Sequence, residues 1–334
     1  MRVSVVIPTF NAGAGISALL DALRAQKPAA PEEIIAVDSG STDETRTRVI
    51  GGGGRVVELT RAFNHGLARD EGIAAARSEL IFLTVQDALP ASEDCLARFA
   101  RHFEDARVAG VSSRQVPPAD GPAELKLKAE IDLRSMGTAK TIGHGGHGEL
   151  GERERNISES SVSSVAKDDL VAAVRLADHP EFASYSPEEK VELYRFDNVG
   201  AMIRRSVWER IPFGECDYAE DLLWAKRALE AGHTLVRDFS APIVHAHRRS
   251  FGYEFRRGLL DARAMDELFG FRYRFFKKMN RVAMLARPGS AGRSEAFKTY
   301  AAHALARMVY GGYRIFLRPV GMGKRTLERW TGGI

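Results

Sequence analysis

Leu80-Ile81-Phe82-Leu83-Thr84-Val85-Gln86-Asp87-Ala88-Leu89-Pro90 is the stretch whose reading decides the fold. Its first six residues form a short apolar run with a β-branched end, the pattern of a strand buried on both faces of a parallel sheet. Such a strand carries Asp87 to its carboxyl end, where open α/β sheets bind their ligands. An acid at that place can hold a metal ion. The plainer alternative is a strand ending in an ordinary Asp turn, and the rest of the chain has to decide between them.

Working outward, Val3 to Ile7 reads as a buried first strand, and Pro8-Thr9-Phe10-Asn11 as the loop at its carboxyl end. Ile16, Leu19, Leu20 and Leu23 recur at helical spacing before Lys27-Pro28 ends the helix. Glu32 to Val37 reads as a second strand running into Asp38-Ser-Gly-Ser-Thr-Asp43, and Ser41 with Glu44 makes a capping-box pattern for the next helix. Gly51 to Gly54 lacks the endings of a phosphate-binding loop and is expected to be a connection. Arg55 to Leu59 reads as a third strand, and Phe63-Asn-His-Gly66 leads into a helix over 67–76. Repeated strand-loop-helix units predict a parallel α/β sheet.

Beyond Pro90, Leu96, Phe99 and Phe103 mark an amphipathic helix and Ala109 to Val116 a further strand. The pattern then breaks over 117–185, with helical stretches expected near Leu125 to Met136 and Asp168 to Ala177, as in a lid or binding loop. His144 and His147 in this segment have no partner at metal-ligand spacing and read as exposed loop histidines. Tyr194 to Ile203 is strand-like with a polar interruption at Asp197-Asn198. Asp217-Tyr-Ala-Glu220-Asp221 precedes a helix with Leu222, Ala225 and Leu229 on one face, closing at Gly232. Two acids at a helix start can simply serve the helix dipole.

Composition excludes little by itself: 44% hydrophobic and 28% charged residues in a chain of 334 describe an ordinary globular protein able to bury a large core. The two cysteines, Cys95 and Cys216, have no metal-type spacing and read as free thiols in a reducing compartment. No apolar run reaches the roughly 18 residues of a membrane span, and the chain opens on a strand rather than a leader, so a cytoplasmic protein is expected. The net charge of +4 is unevenly spread, with about thirteen more basic than acidic residues after His247. In that tail Phe269 to Lys278 interleaves aromatics with bases, and Phe297, Ala301, Ala304, Met308 and Ile315 fall on one helical stripe, which suits a core face, a homodimer face or a membrane-surface helix. No recognised nucleic-acid-binding module accompanies the charge, and nucleic acid is not expected as a partner.

In this order, Pro8-Thr-Phe-Asn11, Asp38-Ser-Gly-Ser-Thr-Asp43, Phe63-Asn-His-Gly66 with Arg69, Gln86-Asp87-Ala-Leu-Pro90, Glu220-Asp221 and His245-Ala-His247 resemble the family 2 glycosyltransferases of GT-A fold, and within them the bacterial rhamnosyltransferases. The resemblance spans about residues 1 to 260. It implies a GT-A domain over 1–250, made of a nucleotide-sugar half (1–116), an irregular acceptor lid (117–190) and an acceptor and catalytic-base half (191–250), followed by a basic helical extension (251–334). The sheet would be mixed but mostly parallel and flanked by helices.

The resemblance also implies residue roles. Pro8, Thr9, Asn11 and Asp38 would meet the base or ribose of a nucleotide-sugar, together with Asn64 and Gln86; Arg69 would meet its diphosphate. Asp87 would hold Mn²⁺ or Mg²⁺ bridging that diphosphate. The family's first metal carboxylate is missing, since Val85 and Gln86 precede Asp87, and a histidine would complete the site. Of His245 and His247, His247 is the one expected to reach the metal if both lie on a strand. Asp221 would be the base that takes the acceptor proton, with Glu220 the less favoured base, and Asp197 with Asn198 would face the acceptor. The implied reaction is an inverting, metal-dependent transfer of L-rhamnose from dTDP-L-rhamnose to a glycan or lipid-linked acceptor in cell-surface polysaccharide synthesis. The resemblance places that reaction at the inner membrane face, where the basic tail could meet anionic lipid. A UDP-hexose donor, or a silent nucleotide-sugar binder, is the alternative.

Overall fold

Buried β-branched runs build the frame that positions the acids. In chain order it comprises β1 (Val3–Thr9), α1 (Gly15–Arg24), β2 (Glu33–Asp38), α2 (Thr45–Gly51), β3 (Arg55–Glu58), α3 (His65–Ala75), β4 (Leu80–Thr84), β5 (Leu89–Pro90), α4 (Cys95–Arg101), β6 (Val108–Ser112) and β7 (Gln115–Val116). The order continues with β8 (Val171–Val174), α5 (Pro187–Leu193), β9 (Gly200–Arg204), α6 (Arg205–Trp208), α7 (Glu220–Glu230), β10 (Thr234–Asp238), β11 (Ile243–Val244), α8 (Phe251–Phe269) and α9 (Arg293–Gly312). This computed structural model describes residues 2–119, 170–216, 218–245, 250–270 and 293–312. The chain divides into two units, one of residues 1–116, 135–184 and 193–245, the other of residues 117–134, 185–192 and 246–334.

In the first unit the main sheet runs β3-β2-β1-β4-β9-β6-β10-β8. The β1/β2, β1/β4, β2/β3 and β6/β10 pairs are parallel, while β9 lies antiparallel between β4 and β6, and β8 antiparallel on β10. Every residue of β4 is buried, as its unbroken apolar run requires. Val5, Ile7, Ile16, Leu19, Leu23, Phe82, Phe99 and Met202 join one core. A second small sheet, β5-β11-β7, pairs Val244 with both Leu89 and Val116. Its two-residue strands set the chain after β4 against the chain after β6.

Several elements differ from the sequence expectations. The segment expected as a helix over 168–177 contains β8, because Val171 to Val174 pair with Leu235 to Asp238 and the sheet edge overrides a weak helical pattern. Ala109 to Val116 is two strands in two sheets. Only Gly200 onward of the Tyr194 to Ile203 run is a strand; Asp197 accepts from the Val199 N–H at 2.9 Å and bends the chain instead. The Ser41–Glu44 capping box does not form: Ser41 donates its hydroxyl to Asp38, and α2 starts after Glu44 without a side-chain cap. In the other unit the same motif does form, at Ser186 and Glu189.

In the second unit α8 and α9 pack together around Leu259, Ala262, Ala306 and Tyr310. A Cβ on Gly258 would lie 2.9 Å from the Ala306 Cβ, so the helices approach where both residues are small. His303 pairs with Glu254 at 2.8 Å, and the Tyr310 hydroxyl donates to Asp266 at 3.3 Å. The inward stripe of α9 is thus Ala302, Ala306 and Tyr310 rather than the expected one; Met308 is 50% exposed, and the side chains of Phe297 and Ile315 lie outside the described residues. Small residues won the interface because they admit the neighbouring backbone. Among the described residues no helix is long and apolar enough to cross a membrane.

Candidate active site

The loops after β1 and β2 form one hydrogen-bonded cluster around Asp38. Its carboxylate is buried and accepts from the Thr9 hydroxyl (3.1 Å), the Ser41 N–H (2.9 Å) and hydroxyl (2.5 Å), the Gly40 N–H (3.2 Å) and Arg46 Nε (2.6 Å). Burial alone would raise its pKa, but the donors, Ser41 first, outweigh burial and hold Asp38 below the usual carboxylate range. Asn11, in the left-handed region at φ 46°, accepts from the Thr42 N–H and gives its own N–H to Ser41. Gln86 accepts from the Phe10 N–H at 2.8 Å and donates to the Phe10 carbonyl at 3.2 Å, tying the β1 loop to the end of β4. Pro8, Thr9, Asn11, Asp38 and Gln86 therefore do come together, at the strand ends. Protein donors meet both oxygens of Asp38 and fix the carboxylate within this cluster.

A second polar network runs from α3 to the small sheet. Arg69 and Glu220 are both buried, with Nη1 3.1 Å from Oε1, and Asn198 Nδ2 donates to the same oxygen at 3.4 Å. Next in sequence, Asp197 accepts from Gln115 Nε2 at 2.6 Å, and Gln115 Oε1 lies 2.8 Å from His245 Nδ1. His245 Nε2 in turn lies 3.3 Å from Asp87 Oδ1. Pairing of Val244 with Leu89 and Val116 is what brings Asp87, Gln115 and His245 to one place.

Arg69 pairs with Glu220 and donates to the His65 carbonyl. Asp197 accepts from Gln115 and from the Val199 N–H, and Asn198 donates to Glu220. The strand ends at Val244, so strand alternation cannot choose between the histidines; His245 is the one beside Asp87, and His247, like Asp217, His144 and His147, lies outside the described residues.

Glu220 and Asp221 open α7, and the residue before them, Ala219, sits at φ 62°, a left-handed conformation that costs a side-chain-bearing residue energy. The segment leading to them is fastened to α3. Asn64 caps α3 by accepting from the Leu67 N–H and also accepts from the Cys216 N–H at 3.1 Å, which ties this segment to the start of α3. Asp70 accepts from Trp208 Nε1 (2.6 Å), the Phe213 N–H (3.0 Å) and the Gly214 N–H (2.8 Å). A Cβ on Gly66 would stand 2.0 Å from the Gly214 carbonyl oxygen, so only glycine allows this approach. Burial, then the neighbouring charges of Glu220 and Asp197, push the Asp221 carboxyl up to about 8. A carboxylate so raised is a competent proton acceptor near neutral pH.

Asp87 and His245 present an oxygen and a nitrogen toward each other, a donor pair that suits Mn²⁺ and tolerates Mg²⁺. Among the described residues no group of three His, Cys, Asp or Glu side chains could hold a metal, so substrate phosphate and water oxygens would have to complete the shell. Sequence reasoning missed Gln115, Asn198 as a partner of Glu220, Asp70 and Arg114. Arg114 is half-buried, burial lowers its pKa, and its Nε, like that of Arg69, has no hydrogen-bond partner among the described residues. Nothing in the local sequence of a two-residue strand distinguishes these side chains from solvated ones.

Residues 4–151 match the model of the family described as Glycosyl transferase family 2. The O-antigen chain rhamnosyltransferase RfbN of Salmonella typhimurium is 29% identical over 263 residues, 77% of this chain and 70% of its own length. The O-antigen chain rhamnosyltransferase WbaN of Salmonella anatum is 26% identical over 259 residues, 76% of this chain and 69% of its own. Among solved structures, the mannosyltransferase PcManGT from Pyrobaculum calidifontis, in complex with GDP-Man and Mn²⁺, superposes with a TM-score of 0.53 at 19% identity, covering 99% of this chain and 84% of that one. The fold is the GT-A fold.

Proposed function

Starting from a glycosyltransferase whose residues 4–151 form a family 2 domain, we propose that this chain is an inverting, divalent-metal-dependent rhamnosyltransferase acting in cell-surface polysaccharide synthesis. The donor would be dTDP-L-rhamnose and the acceptor a glycan or lipid-linked sugar, as the rhamnosyltransferase names of the two similar Salmonella proteins suggest. The observation that carries the chemistry is the raised, partly buried Asp221 at the start of α7, beside a network that ends on Asp87 and His245.

Asp221 takes the proton from the acceptor hydroxyl as its oxygen attacks the anomeric carbon, on the face opposite the departing nucleoside diphosphate. The bond from that carbon to the diphosphate oxygen breaks, and the configuration inverts in one step. A Mn²⁺ or Mg²⁺ ion, when bound by Asp87 and His245, would supply positive charge to the leaving diphosphate. Arg114 is the protein cation suited to the same diphosphate, since a guanidinium can meet two phosphate oxygens. Arg69 and Asn198 hold Glu220, and Glu220 with Asp197 keeps Asp221 basic. The loop cluster of Pro8, Thr9, Asn11 and Gln86 faces the nucleoside, and the basic tail after His247 would bring the chain to the anionic inner face of a membrane.

The test is Asp221→Asn with the full chain. Donor binding should persist and turnover should fall by about 10²–10⁴-fold, the usual contribution of a general base; turnover within about threefold of wild type would remove Asp221 from this role.

A further inference from the structure

Gln115 joins two acids of the site, Asp197 and Asp87, through His245. The β7 and β11 register places Gln115 beside Ile243 and Val116 beside Val244, and the His245 N–H donates to the Val116 carbonyl at 2.9 Å. Gln115 Nε2 donates to Asp197 Oδ2 at 2.6 Å, and Asp197 is itself fixed by the Val199 N–H on its other oxygen. An ionised carboxylate only accepts, so the amide NH₂ of Gln115 must face Asp197 and its Oε1 must face His245. That oxygen lies 2.8 Å from Nδ1, which makes Nδ1 the protonated nitrogen of the ring. The other ring nitrogen, Nε2, lies 3.3 Å from Asp87 Oδ1.

We propose that Gln115, oriented by Asp197, is the positioning residue that fixes the tautomer and the aim of His245, so that Nε2 and Asp87 together present lone pairs to a divalent cation. The inference rests on the reading of Asp87 and His245 as metal-holding residues. It also gives Asp197 a role at one remove, since its charge sets which end of the Gln115 amide meets the imidazole. The fold supports it: the small sheet has three strands of two residues each, and its register is what aligns Leu89, Gln115 and His245.

The experiment uses the full chain and two readouts. Mn²⁺ alone is titrated and its free-ion paramagnetic resonance signal measured, and the imidazole nitrogens of metal-free protein are read by long-range ¹H–¹⁵N correlation, with the His245 signals identified by their loss in His245→Gln. Wild type should show the Nδ1–H form. Gln115→Leu should lose that preference and weaken Mn²⁺ binding by about 10–100-fold, the range for second partners of metal-bound histidines. The pair Gln115→Glu with Asp197→Asn restores an acceptor toward Nδ1 and should return Mn²⁺ affinity to within about threefold of wild type. Wild-type Mn²⁺ affinity and an unchanged tautomer in Gln115→Leu, while His245→Gln loses the metal, would overturn the inference and leave the metal reading standing. Unaltered Mn²⁺ binding in both Asp87→Asn and His245→Gln would overturn both together.

Discussion

Replacing Arg69 by methionine strips a buried carboxylate of its counter-ion. Arg69 and Glu220 have side chains only 5% and 9% exposed and meet at 3.1 Å, so water cannot take over the lost partner. The remaining contact to Glu220 Oε1 is the Asn198 amide at 3.4 Å, a long and neutral hydrogen bond. Breaking a buried ion pair from one side costs about 3–5 kcal/mol, because a desolvated charge is left behind. With a urea m-value of about 3 kcal/mol/M, the midpoint of the unit that holds Trp208 and Trp224 should fall by about 1–1.7 M. Glu220→Gln alone should also destabilise, since it strands the guanidinium. The double variant should lose about 2 kcal/mol less than the two losses added together, which defines the pair in a double-mutant cycle. Tryptophan fluorescence across urea titrations of the four proteins reads this directly. The side chains also act on Asp221: Arg69 lowers and Glu220 raises the pKa of that group. Removing Arg69 should therefore move the acidic limb of turnover to higher pH. A single-variant loss below about 1 kcal/mol, additive with Glu220→Gln, would refute the reasoning, because it would mean the pair is solvated.

Four further outcomes follow from the same geometry. Asp221 works only when ionised, so turnover should rise with pH through about 8, with about one tenth of the sites active at pH 7; a flat profile between pH 6 and 9 would sink its assignment. The raised folded pKa has the opposite effect on stability: the contribution of the neutral carboxyl is complete below its unfolded value near 4 and is lost as pH rises through about 8, which thermal melts across that window would register. Asp70→Ala leaves Trp208 Nε1 and the Phe213 and Gly214 N–H groups without their acceptor, and should cost about 2–4 kcal/mol and loosen the segment leading to Glu220, visible as faster amide exchange over 211–216. Arg114→Gln should weaken dTDP binding by about tenfold or more while leaving the melting temperature unchanged or raised, since a half-buried charge is removed; undiminished dTDP affinity in calorimetry would release Arg114 from the diphosphate.

Much of the frame is written in local patterns. The apolar runs of Val3 to Ile7 and Leu80 to Thr84 can only be buried strands, and each leaves its polar residues at the carboxyl end, where the structure finds them. Asp38 and Asp87 were placed at strand ends for that reason, whereas Glu220 and Asp221, at the start of α7, stood out only through the family resemblance. What sequence could not show is who holds whom. Arg69 reads as a phosphate ligand by resemblance, yet its distance from Glu220 is set by how α3 and α7 meet, a tertiary fact separated by 151 positions. Gln115 looks like an ordinary polar residue because its role depends on a register of two-residue strands, and Asn198 because its partner Glu220 is brought to it by α7. The capping box misread at Ser41 has a local cause: Asp38 is the stronger acceptor and takes the hydroxyl first. Of the uses open to the α9 stripe, the core face fails at Met308 for a packing reason: the face with Ala302 and Ala306 admits Gly258, and the larger Met308 is left exposed.

Calorimetric titration of dTDP-L-rhamnose, UDP-glucose and UDP-galactose into the full chain, each with Mn²⁺ and with chelator, tests the central claim most directly. The account predicts binding selective for the dTDP sugar, dependent on Mn²⁺, and weakened in Asp87→Asn and His245→Gln. Binding of every donor that is equal with Mn²⁺ and with chelator, or no binding in either, would contradict it.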